Sequence, residues 1–367
     1  MAGNMTNQNI LVGQPVPKVV RSSSADDSGK PTGSNQDLSE ITRQYAQANF
    51  RKACWQLLDT FIPYGVLWAL MLYAVREGYP YWITLALAVV AGGILVRIFI
   101  LFHDCCHGSF FASRRANTIL GYISGILLFT PFENWRYAHA VHHATAGDLD
   151  RRGLGDIWTM TTDEYLAAPL RRRLAYRIYR NPFILFIPGP VLLFLFLQRF
   201  PAKGAKKRER NSVAFTNLAI LFVVVLAGLT IGLRTYFLIQ FPVIVIAGAF
   251  GLWLFFVQHQ FENVYWARHE IWDPVRVALE GSSYLKLPKI LQWFTSNIGL
   301  HHIHHARPTI PNYNLQRCYD DVPTFQAAEP LTIRTSLKTA CLSLYDEKQK
   351  KLISFRALRL SHRVAPG

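Results

Sequence analysis

The sequence predicts an all-α integral membrane protein. Four transmembrane helices form two hairpins, and a helical cytoplasmic cap carries the functional groups. Three observations predict it. Hydrophobic residues make up 51 % of the 367 residues and charged residues only 17 %, a balance that suits lipid better than water. Four apolar runs, each near the length that crosses a bilayer, come as two closely spaced pairs. Eleven of the twelve histidines lie between positions 103 and 305, and nine of them fall into three tight groups.

Residues 1–48 are rich in Ser, Asp, Asn, Gly and Gln. They bury too little apolar surface to offset ordering entropy and read as a disordered cytoplasmic tail. No basic stretch followed by an apolar core opens the sequence, so no cleaved signal peptide is expected. Residues 49–330 read as the membrane domain and 331–367 as a cytoplasmic extension.

The first span is predicted over about 57–75 and the second over about 82–102, joined by Glu77-Gly78-Tyr79-Pro80. Arg97 is the single charge in the second span and is expected to snorkel to the interface. The second span runs directly into His103 and His107, whose spacing of four puts both imidazoles on one helical face. Cys105 and Cys106 lie between them as small, buried fillers. Five cysteines without regular spacing do not make a disulfide framework.

The apolar stretch at about 119–132 is too short to span and reads as interfacial. His139, His142 and His143 follow at i, i+3 and i+4, then a polar loop from Asp148 to Thr159. Residues 183–197 are apolar but broken by Pro188, Gly189 and Pro190, which predicts an in-plane or re-entrant segment. Lys203, Lys206, Lys207, Arg208 and Arg210 mark the next stretch as cytoplasmic. Spans at about 213–232 and 236–257 make the second hairpin. His301, His302, His304 and His305 lie further on, within HHIHH, and His269 reads as a solvated surface residue. Two hairpins return both termini and every histidine group to one side. The net charge of +16 then follows from lysines and arginines gathered on that side, not from nucleic-acid binding.

Nine clustered imidazoles, left unpaired, would repel one another on protonation. Neutral imidazole is a good ligand for iron, zinc or copper, so the groups predict bound metal. One ion takes about four to six ligands, so nine histidines predict two. A structural zinc site needs fewer ligands, and transport sites lie near the bilayer midplane. Redox iron is the leading reading.

The motifs HDCCHGSFF, PFENWRYAHAVHHAT, GDIWTMTTDEY, YRNP, QHQFENVYW and NIGLHHIHHARPTIPNYNLQ resemble those of the membrane fatty acid desaturases over roughly residues 50–330. The likeness is strongest to bacterial and plastid-type acyl-lipid omega-6 (Δ12) enzymes. Cys106 departs from the Gly expected there. The resemblance implies two iron ions held by His103, His107, His139, His142, His143, His301, His304 and His305, with His259 as a further ligand. It implies O2 as co-substrate, an acyl-lipid substrate and a cis double bond as product. Asp104, Asp156, Glu262 and Asn297 are candidates to orient ring nitrogens, and His302 points away from the ligands in helical register. No haem or iron–sulfur motif is present. A separate donor is therefore implied, ferredoxin first and cytochrome b5 second, in the bacterial inner membrane or, for a eukaryotic chain, the endoplasmic reticulum or plastid. The alternative is hydroxylation or ketolation of a hydrophobic substrate such as a carotenoid; a non-enzymatic metal transporter ranks below both.

Overall fold

The computed structural model describes residues 35–202 and 204–364. Most of the predicted tail, residues 1–34, and Lys203 of the basic cluster lie outside them. Within the described residues the chain is mostly helical. Its principal helices are α1 (Asn35–Thr42), α2 (Phe50–Arg76), α3 (Tyr81–His107), α4 (Arg114–Leu127), α5 (Phe132–Thr145), α6 (Leu170–Tyr179), α7 (Lys207–Thr230), α8 (Leu233–His259), α9 (Lys289–Phe294), α10 (His301–Ala306) and α11 (Asn312–Asp321). Five stretches are long and apolar enough to cross a membrane: α2, α3, α7, α8 and the broken helix Pro182–Arg199.

The helices outrun their apolar runs because polar residues carry the ends. Asn49 caps α2 by accepting from the Lys52 N–H at 3.0 Å. At the other end of α3, Gly108 takes a left-handed φ of 69°. Its N–H donates to Cys105 O at 3.1 Å and the Ser109 N–H donates to Asp104 O at 3.0 Å. This turn stops the helix one residue after His107. Gly92 lets α3 approach α8 closely, since a Cβ there would lie 2.7 Å from Ile246 Cγ2. The histidines that end α3 and α8 enter two adjoining clusters, which fits the two helices running parallel.

Three expectations need correction. Arg97 does not snorkel. It is 3 % exposed and pairs with Asp59 at 3.1 Å. It donates to Thr60 Oγ1 at 2.8 Å, to Ser296 Oγ at 3.1 Å and to the Trp293 carbonyl. The guanidinium also lies 4.4 Å above the Trp293 ring. A buried cation with a carboxylate and three further acceptors has no reason to reach for water.

The part of the tail within the described residues is not disordered. Tyr45 is buried; its hydroxyl donates to Asp321 Oδ2 at 3.0 Å, and Asn314 Nδ2 donates to its carbonyl at 2.9 Å. The fold is also not purely helical. Strands β1 (Met160–Thr161), β4 (Leu342–Asp346) and β5 (Lys351–Ser354) form one small sheet, with β1 parallel to β4 and β4 antiparallel to β5. Strands β2 (Tyr284–Leu285) and β3 (Pro330–Leu331) pair in parallel. Residues beyond 330 are thus tied to the earlier chain through both sheets.

The stretch read as interfacial at about 119–132 covers the end of α4, a turn and the first residue of α5. Phe129 at a φ of 54° turns the chain between α4 and α5. The Pro182–Arg199 helix is irregular around Ile187, Pro188 and Pro190 and loosens into a π turn at Leu192–Phe196. Phe186 packs on Phe256 of α8, ring centroids 5.4 Å apart, three residues from His259. At its other end Arg199 donates to Asn217 Oδ1 at 2.7 Å, and the Ala202 N–H donates to Asn134 Oδ1 at 3.4 Å, near the start of α5.

Candidate metal centre

Three helix ends and one short helix bring nine histidines together. His103 and His107 close α3, His139, His142 and His143 lie in the last turns of α5, His259 ends α8, and α10 supplies the rest. His103, His107, His139, His143 and His304 form one group whose nearest ring nitrogens all lie within 4.8 Å of one another; His142, His259 and His305 form a second. His301 joins the second through His259, Nε2 to Nε2 at 3.0 Å. The His143 and His305 rings stack at 4.2 Å and link the groups.

The ring orientations test whether a cation fits. His142 Nδ1–H donates to Asp156 Oδ1 at 2.6 Å, and a carboxylate can only accept. His259 Nδ1–H donates to Gly281 O at 3.4 Å. Both Nε2 atoms therefore present lone pairs, yet they face each other at 3.2 Å. Two lone pairs at that distance make no hydrogen bond; a metal ion between them satisfies both. His107 and His139 meet at 3.0 Å, His139 and His143 at 3.1 Å, and His143 and His304 at 3.1 Å. Nitrogens about 2.1 Å from one ion and at right angles around it lie about 3 Å apart. His103 Nε2 and His305 Nε2 are buried with no hydrogen-bond partner among the described residues. The donor set fits metal.

Burial and mutual repulsion keep these rings neutral, which is the ligating form. Desolvation first, then the neighbouring imidazoles, push His139, His143, His301, His304 and His305 well below the usual histidine range. The consequence for pH has a definite sign. Unfolded histidines take up protons below about pH 6.5 while the folded ones do not. Stability is therefore fully present above that value and falls as pH drops through it. Thermal unfolding at pH 5 is expected well below that at pH 7.5, and a flat profile would count against buried neutral rings.

The candidate orienting residues divide. Asp104 is buried, with Oδ1 3.4 Å from His103 Nδ1. Its Oδ2 accepts from the backbone N–H and side-chain Nδ2 of Asn312 at 2.7 and 2.9 Å. Asp156 touches His142 and accepts from the Gly153 N–H at 3.1 Å. Glu262 does not reach the centre. Its side chain is 64 % exposed and faces Lys351 Nζ at 3.6 Å, because the chain has left α8 and turned outward. Asn297 contributes backbone geometry, at a left-handed φ of 59°, with its N–H donating to Gln292 O at 3.0 Å; its side chain makes no hydrogen bond to a ring among the described residues. His302 turns to the opposite face, where Nε2–H donates to Phe325 O at 3.0 Å. Burial pushes it down to about 4. His269 is exposed, but its Nδ1 is held by Asp148 at 2.8 Å.

The sequence did not point to Trp135, which stacks on His139 with centroids 4.3 Å apart, nor to Asn312 or Gly281. Trp135 lies four residues before His139, the helical spacing that could have flagged it. Asp156→Asn is expected to lower metal retention or turnover about 10–100-fold, the usual effect of losing a ligand's orienting partner. Unchanged metal content and rate in that variant would remove Asp156 from the centre.

Buried histidines converging at the mouths of membrane-length helices define a metal-centre class built on a membrane scaffold. Comparison with known proteins specifies it. The fatty acid desaturase family model matches residues 80–336, and the chain belongs to that family, whose members are oxidoreductases. It is 46 % identical over 323 residues to a fatty acid desaturase of Bacillus subtilis, covering 87 % of this chain and 91 % of that one. It is 26 % identical over 242 residues to an sn-1 oleoyl-lipid 12-desaturase of Synechocystis, covering 61 % and 64 %. A ferredoxin-named sn-1 acyl-lipid omega-3 desaturase of Nostoc is 24 % identical over 332 residues, covering 83 % and 85 %.

Proposed function

We propose that this chain is a membrane-bound di-iron desaturase that inserts a cis double bond into the acyl chain of a lipid. The observation that carries the reading is the division of nine histidines into two adjoining nitrogen clusters, enough for two ions. One ion would be held by His103, His107, His139, His143 and His304. The other would be held by His142, His259, His301 and His305. Iron supplies the reduction of O2 and the power to remove hydrogen from an unactivated C–H bond. The overall balance is one CH2–CH2 unit, O2, two electrons and two protons in, one CH=CH unit and two waters out.

The chain's own residues prepare this chemistry. Asp156 and the Gly281 carbonyl hold His142 and His259 with Nε2 inward. Asp104, fixed by Asn312, does the same for His103. Phe102 and Trp135 pack at the base of the first cluster, ring centroids 5.2 Å apart, and Phe255 packs on His142 and His259. These rings exclude water from that side of the clusters.

The proposed topology has four spans, α2, α3, α7 and α8, with the histidines and both termini on the cytoplasmic face of a bacterial inner membrane. Pro182–Arg199 is read as re-entrant, because its ends pack near His259 and near the start of α5. Arg114, Arg115, Arg151, Arg152 and the Lys206–Arg210 cluster lie on the histidine side. The tight turns at the other end carry only Arg76 and Arg234, the asymmetry the positive-inside rule describes. The proposed donor is ferredoxin, the word in the Nostoc relative's name; cytochrome b5 is the second candidate.

For bond position we propose omega-6 (Δ12), on the motif resemblance and the Synechocystis relative's name. Expression in a host lacking polyunsaturated lipids, followed by gas chromatography with mapped double bonds, tests both parts. A new cis double bond supports the class, and its position keeps or replaces the omega-6 assignment. An oxygenated product would overturn desaturation. Purified protein is expected to hold about two irons per chain; zinc in their place would overturn the cofactor.

A further inference from the structure

Helix α6, Leu170–Tyr179, carries an outward stripe that no described part of the chain covers. Leu170, Leu174 and Ile178 recur every four residues and are 71, 52 and 61 % exposed. The helix cannot roll to hide them. Tyr176, on the opposite face, is fully buried; its hydroxyl accepts from the Met160 N–H at 3.0 Å and donates to the Ser343 carbonyl. That pins α6 to the β1–β4 sheet.

The stripe is edged by cations. On a helical wheel Arg171 and Arg177 fall on its two flanks; Arg177 is turned onto the Tyr165 hydroxyl at 2.5 Å and the Phe355 ring at 5.0 Å, while Arg171 and Arg172 are exposed. The helix LRRRLAYRIY contains no acidic residue, and Arg171 and Arg172 make no ion pair among the described residues. Three residues past α6 the Pro182–Arg199 segment begins, with Phe183, Ile187 and Leu192 exposed as well. The stripe therefore continues into the surface that this membrane protein turns to lipid.

We infer that α6 is an interfacial helix that binds the anionic phospholipid surface of the membrane in which the chain sits. Leu170, Leu174 and Ile178 enter the boundary of the acyl region. The exposed Arg171 and Arg172 meet phosphate groups. The apolar stripe selects lipid over an acidic protein, which the arginines alone would also attract. The helix leads straight to the centre. Arg180, one residue beyond it, is buried and donates to Gln260 Oε1 at 3.0 Å and Leu342 O at 2.6 Å, and Gln260 follows His259.

Nanodiscs of phosphatidylcholine, with or without phosphatidylglycerol, test this on the intact protein. Trypsin cleavage at Arg171–Arg173 is expected to slow several-fold when phosphatidylglycerol is present. The Arg171→Gln/Arg172→Gln variant, followed at Arg173 and Arg177, is expected to lose that protection, and Arg171→Lys/Arg172→Lys to keep it. Equal cleavage in both lipids for the parent protein, or full protection of the glutamine variant, overturns the proposal. So does a glutamine variant that keeps its lipid response but needs several-fold more electron donor for half-maximal rate, since the arginines would then serve the donor. The proteolysis readout needs no turnover, so its failure is distinct from failure of the desaturase reading.

Discussion

His304→Ala and His107→Ala are each expected to abolish desaturation and to empty or halve the iron content. Each removes one of five nitrogens that lie within 4.8 Å of one another, with no nearby group free to replace it. Loss of an orienting partner alone typically lowers metal affinity or activity about 10–100-fold; loss of a ligand exceeds that, and a fall of at least about 1000-fold is expected. Iron by mass spectrometry and product by gas chromatography measure it together. His302→Ala is the control. It removes a buried ring bonded to Phe325 O and is expected to lower stability by roughly 2 kcal/mol while leaving the iron in place. Full activity in His304→Ala or His107→Ala would refute the assignment of ligands.

Arg97→Leu has the second largest effect, on stability. Among the described residues the substitution leaves Asp59 with only the neutral donors Thr60 Oγ1 at 3.1 Å and Trp293 Nε1 at 3.2 Å and strips donors from the Trp293 carbonyl and Ser296. Breaking one half of such a pair costs about 3–5 kcal/mol. The loss reaches the centre, because Ser296 and Asn297, both at positive φ, form the turn leading into α10. Unfolding in detergent is expected at clearly lower temperature, with Asp59→Asn/Arg97→Leu recovering part of the loss. A single variant as stable as the parent would show that the pair contributes nothing.

What the sequence made legible was whatever repeats with a helical period. Apolar runs located the cores of α2, α3, α7 and α8, and the i, i+3, i+4 histidines sat where their register placed them. What it hid depends on partners distant in the chain. Arg97 looked like an interfacial cation because Asp59 and Trp293 are 38 and 196 residues away from it. Glu262 looked like a companion of His259 because only three residues separate them, yet the chain turns outward in between. The β4–β5 hairpin was obscured because its strands are short and its turn, Asp346–Lys350, reads as ordinary polar surface. There Asp346 Oδ1 accepts from the Lys348 and Gln349 N–H groups, both at 2.9 Å.

That hairpin also orders the protein's biosynthesis. Strand β4 pairs with β1 across more than 180 residues, and the Leu352 N–H donates to Glu262 O at 2.8 Å. Arg180 and Tyr176 wait on carbonyls at 342 and 343. Until the chain has been translated past residue 341, β1 has no partner strand. Completion of the sheet therefore waits on residues 342–354, which are made after every one of the nine clustered histidines.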